Sequence, residues 1–321
     1  MNKKMNLRKL AVAVILLSFL SILSGCALPN LKPFADATAT LDTGVREGGG
    51  EIIESMKALP FKDKNGMRIP ITSQEHPANR LNEAWAVRIQ AMDALIAYSA
   101  SLANISNAGF NASNNVEAFG ETVKGLADYI PSASAYTGDL KALVNLLITT
   151  GIEIQSYYTL SKAVEKAQKP LEEIVTLINA DLSDLQEINK NLRVMGIANL
   201  NKSVDKYLAP YNDAADLKKK WSEQLSDPAK EVNALNMVNK YDDILQNLLP
   251  QVQAQQEASA KFEKKCDNLD LLLTNTQKAL DSWISANAQL AGALKDKRQP
   301  NIALFVVRAA EIKYAVDKLR D

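Results

Sequence analysis

Few side chains in this sequence belong to the types that perform acid–base, nucleophilic or metal chemistry. The 321 residues include one histidine, His76, and two cysteines, Cys26 and Cys266. A lone histidine gives little basis for histidine-dependent metal binding or proton transfer. The motifs of zincins, redox dithiols, serine hydrolases, dinucleotide-binding folds and di-iron bundles are absent from the sequence. We therefore expect a protein without enzymatic activity, cofactor or metal, in which His76 is a solvent-facing structural residue.

Paired carboxylates are the remaining source of catalytic groups. Glu172 with Glu173, and Asp181 with Asp184, fall within helical patterns whose apolar positions lie elsewhere. We interpret them as solvated helix faces. A carboxylate-only glycosidase draws its two acids from any part of a chain, but a helical bundle is a poor scaffold for one.

The N-terminus carries the most specific pattern in the sequence. Residues 10–23 are apolar except for two serines, a length that suits a signal peptide better than a membrane span. Four basic residues precede this stretch: Lys3, Lys4, Arg8 and Lys9. The stretch ends in Leu23-Ser24-Gly25-Cys26, which resembles the lipobox of bacterial lipoproteins.

This resemblance implies a signal peptide over residues 1–25 and acylation of the Cys26 thiol after cleavage. Residues 26–33 would form a short lipidated tether, and residues 34–321 the folded domain. Ala27 after the acylated cysteine implies the outer membrane in a host with two membranes, either at its periplasmic face or at the cell surface. Cleavage leaves 33 basic against 37 acidic residues, and this acidic balance argues against a nucleic-acid partner.

Helical patterns fill most of the remaining chain. Glycine (13) and proline (11) are scarce, and apolar residues recur every three and four positions over residues 81–102, 116–130 and 171–208. Residues 252–294 hold a heptad seam with a strict 3-4 spacing. Its members are Val252, Gln255, Ser259, Phe262, Cys266, Leu269, Leu273, Thr276, Leu280, Trp283, Asn287, Leu290 and Leu294. We predict an all-α, elongated, antiparallel helical bundle with long coiled-coil-like helices, closed by a last helix after Pro300.

Two glycine-containing positions and one loop interrupt these patterns. Gly48-Gly49-Gly50 predicts a turn between two short helices, since each glycine costs a helix about 1 kcal/mol. The change of phase at Gly196 predicts a local break or bend. Residues 60–77 hold three prolines and an Asn65-Gly66 turn signal, which predicts an irregular loop. Such a loop is a candidate partner-binding surface, with Phe61, Met67, Ile69 and Ile71 as its apolar contacts.

Two further features leave alternatives open. Cys266 lies in the heptad seam, where it is either a buried, inert thiol or an intermolecular disulfide between two protomers, so a homo-oligomer stays open. Residues 142–160 carry one charge, Glu153, and from Leu140 to Ile154 the apolar residues surround the helix. That pattern fits either a buried central helix or a membrane-inserting element. The candidate membrane-active residues are Leu143, Leu147, Ile148 and Ile152.

Three functions follow from these patterns. The first is a lipid-anchored interaction or scaffold protein of the cell envelope, with the membrane and an envelope protein as partners. The second is a membrane-active protein that inserts residues 140–160. The third is a sensory or ligand-binding bundle that holds a small apolar molecule between its helices.

Overall fold

A computed structural model of the chain describes residues 29–108 and 157–320. These residues form five α-helices and, apart from one isolated antiparallel bridge between Lys62 and Arg68, no extended pairing. The helices are α1 (Lys32–Lys57), α2 (Pro77–Ala108), α3 (Tyr157–Ser222), α4 (Glu231–Asp296) and α5 (Ala303–Arg320). The prediction of an all-α bundle with long helices is confirmed. The lipobox, the 116–130 pattern and the candidate membrane-active residues lie outside the described residues.

The two longest helices, α3 and α4, each have 66 residues, or about 100 Å of helix. Both exceed their predicted limits: α3 begins before Pro170 and α4 continues through Pro250 toward its N-terminus. Their contacts run in opposite directions along the two chains. Successive pairs are Ser161–Ala291, Asn179–Asp281, Gln186–Thr274, Asn189–Asp270 and Arg193–Glu263. The helices therefore pack antiparallel, as predicted.

The chain divides into two compact units. Among the described residues, unit 1 comprises residues 29–46, 83–108, 157–180 and 275–314. Unit 2 comprises Glu47–Asn82, Asp181–Thr274 and residues 315–320.

The core of unit 1 is built around the heptad seam of α4. Trp283 is fully buried, and its ring lies 5.5 Å from that of Phe34 and 6.2 Å from that of Tyr98. The indole Nε1 donates a hydrogen bond to Thr38 Oγ1 at 2.9 Å. Phe305 of α5 packs 5.6 Å from Phe34. Helices α1, α2, α4 and α5 therefore each contribute one ring to this aromatic cluster.

A polar seam residue of unit 1 is fully satisfied by partners on two other helices. Asn287 is 0 % exposed, accepts a hydrogen bond from the Tyr98 hydroxyl at 3.0 Å and donates one to Gln168 Oε1 at 2.8 Å. A buried amide with these partners fixes the register of the helices, since any shift leaves its polar atoms unpaired.

The predicted turn at Gly48-Gly49-Gly50 is wrong, because α1 is one continuous helix through all three glycines. Close packing accounts for two glycines of this helix, Gly44 and Gly48. A Cβ on Gly44 would stand 2.8 Å from Ile312 Cγ2, and one on Gly48 would stand 2.8 Å from Leu273 Cδ2. Burial against these neighbours outweighs the weak helix propensity of glycine.

The predicted break at Gly196 is also wrong, since α3 continues through it without interruption. In unit 2 the ring of Phe262 lies against the Gly196 backbone, in the space where a Cβ would stand. The change of phase in the sequence marks this close approach of two helices.

Candidate partner-binding loop

The loop of residues 58–76, between α1 and α2 in unit 2, begins as a short β-hairpin. The Ile69 N–H donates to the Phe61 carbonyl at 2.9 Å, and the Asp63 N–H donates to the Met67 carbonyl at 2.7 Å. The prediction of a turn-containing loop is confirmed. Residues 61–69 are more regular than the prolines indicated, because they pair as a hairpin.

The hairpin turn is stabilised by its own side chains. Asp63 Oδ1 accepts hydrogen bonds from the backbone N–H groups of Asn65 and Met67, both at 2.8 Å. Gly66 has a φ of 79°, a left-handed conformation that glycine adopts without steric cost. An aspartate that pairs with the backbone two residues ahead, followed by such a glycine, is a typical turn arrangement.

The second half of the loop is fixed by Asn79 at the start of α2. The Asn79 Nδ2 group donates to the carbonyls of Ile71 and Ser73, both at 2.8 Å. The loop is thus held at its turn and at its return to the helix.

The four apolar residues predicted for this loop separate into two pairs. Met67 is 64 % exposed and Ile71 is 49 % exposed. Phe61 and Ile69 are half-buried. The structure therefore offers Met67 and Ile71 to solvent, while Phe61 and Ile69 serve mainly to hold the loop in place.

His76 is buried, with 2 % of its surface exposed, so the prediction that it faces solvent is wrong. Its ring packs edge-on against Phe61 at a centroid distance of 5.3 Å. Its Nδ1 atom accepts the Ala78 N–H at 3.3 Å, which caps the first turn of α2. The structural role that we predicted for His76 agrees with these contacts.

A cavity of about 360 Å3 opens beside the hairpin. It is lined by Lys57, Leu59, Arg68, Ile69, Pro70, Ile71 and His76. Lys57 also forms an ion pair with Glu54 at 2.6 Å. With Glu54 included, residues 54–76 carry four basic and three acidic side chains, a net charge of +1, and the charged residues of the cavity lining are Lys57 and Arg68.

Sequence reasoning missed the charged and structural part of this site. The apolar contacts could be predicted, because they are large side chains in a proline-rich loop. Lys57 could not be assigned to the site, because it belongs to the last turn of α1. Arg68 lines the same cavity as Lys57 only because the hairpin is paired. The Asp63-x-Asn65-Gly66 pattern was the available signal for that pairing.

Cys266, the other reactive side chain among the described residues, lies in the core. It is buried as a free thiol, which agrees with the first of our two interpretations, and burial raises its pKa. Asn189 donates a hydrogen bond to the Cys266 carbonyl at 2.9 Å. Within residues 29–108 and 157–320, no three histidine, cysteine or carboxylate side chains are grouped as metal ligands would be. None of the helices in the same residues combines the length and the hydropathy of a membrane span.

Comparison of the chain with protein-family models, with curated proteins and with solved structures gives no match. The function is therefore inferred from the geometry of the loop and from the N-terminal sequence.

Proposed function

We propose that this chain is a non-catalytic, lipid-anchored protein of the bacterial cell envelope that binds a protein partner through the loop of residues 58–76. The observation that carries the proposal is the ordered hairpin, which keeps Met67 and Ile71 exposed beside a positively charged cavity. A loop that is already ordered loses little conformational entropy on binding, so more of its contact energy appears as affinity.

The loop indicates the chemistry of the partner. Met67 is flexible and polarisable, which suits it to varied apolar surfaces. The cavity holds the apolar side chains of Leu59 and Ile69 together with the cations of Lys57 and Arg68. A partner that inserts an apolar side chain flanked by a carboxylate would match both features.

The anchor rests on the N-terminal sequence. In this proposal residues 1–25 are removed and Cys26 carries the acyl chains, which hold the mature protein in the outer membrane. Two or more acyl chains give stable attachment, whereas one chain gives only reversible binding.

The residues most suited to catalysis support a non-catalytic role. His76 is buried and caps α2, and Cys266 is buried in the seam with a raised pKa. A thiol acts as a nucleophile in its thiolate form, which a raised pKa disfavours.

The test is site-specific photo-cross-linking in the native envelope. A photoreactive amino acid replaces Met67 or Ile71, and a matched control replaces Val232, which is 75 % exposed in unit 2. We expect one discrete protein in near-stoichiometric amount from positions 67 and 71 and none from position 232. The Arg68→Glu variant should lose this capture while its circular dichroism is unchanged.

The same proteins captured equally from all three positions would contradict the assignment of the loop. Capture that survives replacement of residues 62–68 by a glycine linker, in a folded protein, would contradict it too. Mass spectrometry of the N-terminal peptide separately tests acylation of Cys26.

The cavity volume favours a second function, binding of a small molecule, because such sites commonly measure about 300–1,000 Å3. Native mass spectrometry of the purified protein tests it. A bound small molecule that is lost in Arg68→Glu, together with no cross-linked protein, would favour this second function over the first.

A further inference from the structure

The chain is packed into unit 1 almost immediately after the predicted acylation site. The Pro29 carbonyl accepts a hydrogen bond from Ser106 Oγ, and the Asn30 N–H donates to Gln299 Oε1 at 3.0 Å. Leu31 is fully buried. Cys26 lies three positions before Pro29, and such a segment reaches at most about 11 Å. Acyl chains on Cys26 therefore hold the turn that contains Gln299 close to the membrane surface.

This turn, which connects α4 to α5, carries a concentration of positive charge. Lys295, Lys297 and Arg298 are all exposed there, and Asp296 is the acidic residue among them, 3.4 Å from Arg298. Residues 295–298 thus carry a net charge of +2, from three cations and one carboxylate. Ionised lipid phosphates are the charges that such a turn would meet at a membrane.

The first turn of α3 adds an aromatic and a fourth cation to the same end of unit 1. Ser161 Oγ donates to the Ala291 carbonyl at 2.6 Å, which fixes this turn against the end of α4. Tyr158 is 54 % exposed, and Lys162 Nζ lies 4.4 Å from the centre of its ring. Lys162 and, more weakly, Lys295 lower the pKa of Tyr158, although Glu165 opposes them. Tyrosine and lysine side chains combine an apolar body with a polar tip, as membrane interfaces favour.

Lys297 occupies a position where glycine is the usual residue. The Arg298 N–H donates to the Ala293 carbonyl and the Lys297 N–H to the Leu294 carbonyl, which ends α4 in a Schellman arrangement. Lys297 has a φ of 51°, a left-handed conformation that is strained for a residue with a Cβ. A strained residue at an exposed turn indicates that its side chain is used there.

We propose that Tyr158, Lys295, Lys297 and Arg298 form an anchor-side surface that binds the anionic lipid headgroups of the membrane in which Cys26 is inserted. This inference rests on the proposed acyl anchor. The anchor raises the local concentration of lipid at this surface, so individually weak contacts are sufficient for binding. The cations then pair with lipid phosphates, while the ring of Tyr158 lies at the boundary between headgroups and acyl chains.

The test measures the depth of this surface with the processed, acylated protein in vesicles. A fluorophore is attached at Gln299→Cys, in a Cys266→Ala background, and in a matched protein at Lys278→Cys. Gln299 is exposed in the turn itself, whereas Lys278 is exposed on α4 20 residues before Arg298, about 30 Å along the helix. The vesicles consist of phosphatidylcholine with or without phosphatidylglycerol, and a lipid with a nitroxide on its headgroup is the quencher.

With phosphatidylglycerol present, we expect quenching at position 299 to exceed that at position 278 several-fold. In the Lys295→Glu/Lys297→Glu/Arg298→Glu variant, quenching at 299 should fall to the level of 278. The matched triple variant Lys202→Glu/Lys278→Glu/Lys313→Glu changes the net charge equally at other exposed positions and should retain it. Circular dichroism checks that both variants are folded.

The outcomes separate this inference from the anchor. Vesicle flotation with acyl mass on Cys26, but equal quenching at 299 and 278, would overturn the inference and leave the anchor intact. Equal quenching at 299 in neutral and anionic vesicles, or quenching that survives the charge reversal, would overturn headgroup recognition. A Cys26 without acyl mass would overturn both proposals.

Discussion

The helix α4 passes through two regions that bury it very differently. In unit 1 six successive residues of its heptad seam are 0 % exposed: Thr276, Leu280, Trp283, Asn287, Leu290 and Leu294. In unit 2, between residues 231 and 265, only Ala234 and Val252 are buried. Three large apolar side chains of that region are open to solvent, Val232 at 75 %, Leu235 at 50 % and Leu249 at 40 %.

The number of helices that contact the seam explains this difference. In unit 1 the seam meets α1 through Thr38, α2 through Tyr98 and α3 through Gln168. In unit 2 the described contacts of residues 231–263 are with α3, such as Lys218 with Asp242 and Gly196 with Phe262. A seam packed against one helix keeps part of each side chain exposed, whereas a seam packed against three does not. Periodicity therefore predicts the helix and its seam but not the number of its partners.

The largest expected effect separates these two regions by stability. Leu290→Ala should lower the free energy of unfolding by about 2–5 kcal/mol, because Leu290 is fully buried in unit 1. Leu235→Ala should cost less than about 1 kcal/mol, since Leu235 in unit 2 is already 50 % exposed. Urea denaturation followed by circular dichroism measures both. Equal losses would show that the two regions are packed alike.

The glycines of α1 give a smaller and opposite pair of effects. Gly44→Ala should lower stability by about 1–3 kcal/mol, because its Cβ would press on Ile312 and Thr276 in unit 1. Gly50→Ala meets no atom within 4 Å and should raise stability by about 0.5–1 kcal/mol through helix propensity alone. Thermal unfolding of the two variants checks the signs. A stabilising Gly44→Ala would contradict the packing explanation for the continuous helix.

Features that depend on local spacing could be predicted from the sequence, whereas features that depend on distant contacts could not. The all-α class and the buried Leu269–Leu294 part of the seam follow from spacing alone, because apolar periodicity is a local property. The antiparallel packing was predicted from the short connection between the last two helices. The continuity of α1 and α3 through their glycines could not be predicted, because it depends on Leu273, Ile312 and Phe262 from distant parts of the chain. For the loop, the exposed Met67 and Ile71 were predicted. The burial of His76 was not, since it depends on Phe61 and on the start of α2.

The rate at which the Cys266 thiol is labelled measures how readily unit 2 opens locally. It is 4 % exposed, and burial raises its pKa, so less of the reactive thiolate is present at a given pH. We expect the folded protein to react with a disulfide reagent at pH 8 much more slowly than the unfolded chain. An Ala286→Cys variant, in a Cys266→Ala background, places a thiol at a buried site of unit 1. Its labelling should be slower than that of Cys266, because local opening is easier where fewer contacts are lost. The reverse order would break the comparison between the two regions.

The smallest expected effect tests whether a local strain serves a purpose. Lys297→Gly should raise the free energy of unfolding by about 1 kcal/mol, since glycine adopts a φ of 51° without a steric penalty. The same variant removes one cation of the anchor-side surface, so quenching of the label at position 299 should fall even though the fold is more stable. Lys295→Gln removes a neighbouring charge without relieving strain, and its quenching should fall without any gain in stability. If Lys297 had no role in lipid binding, Lys297→Gly would raise the stability and leave the quenching unchanged. A lysine that binds lipid gives both the gain in stability and the loss of quenching. The combination distinguishes a residue kept for binding from one that the turn merely tolerates.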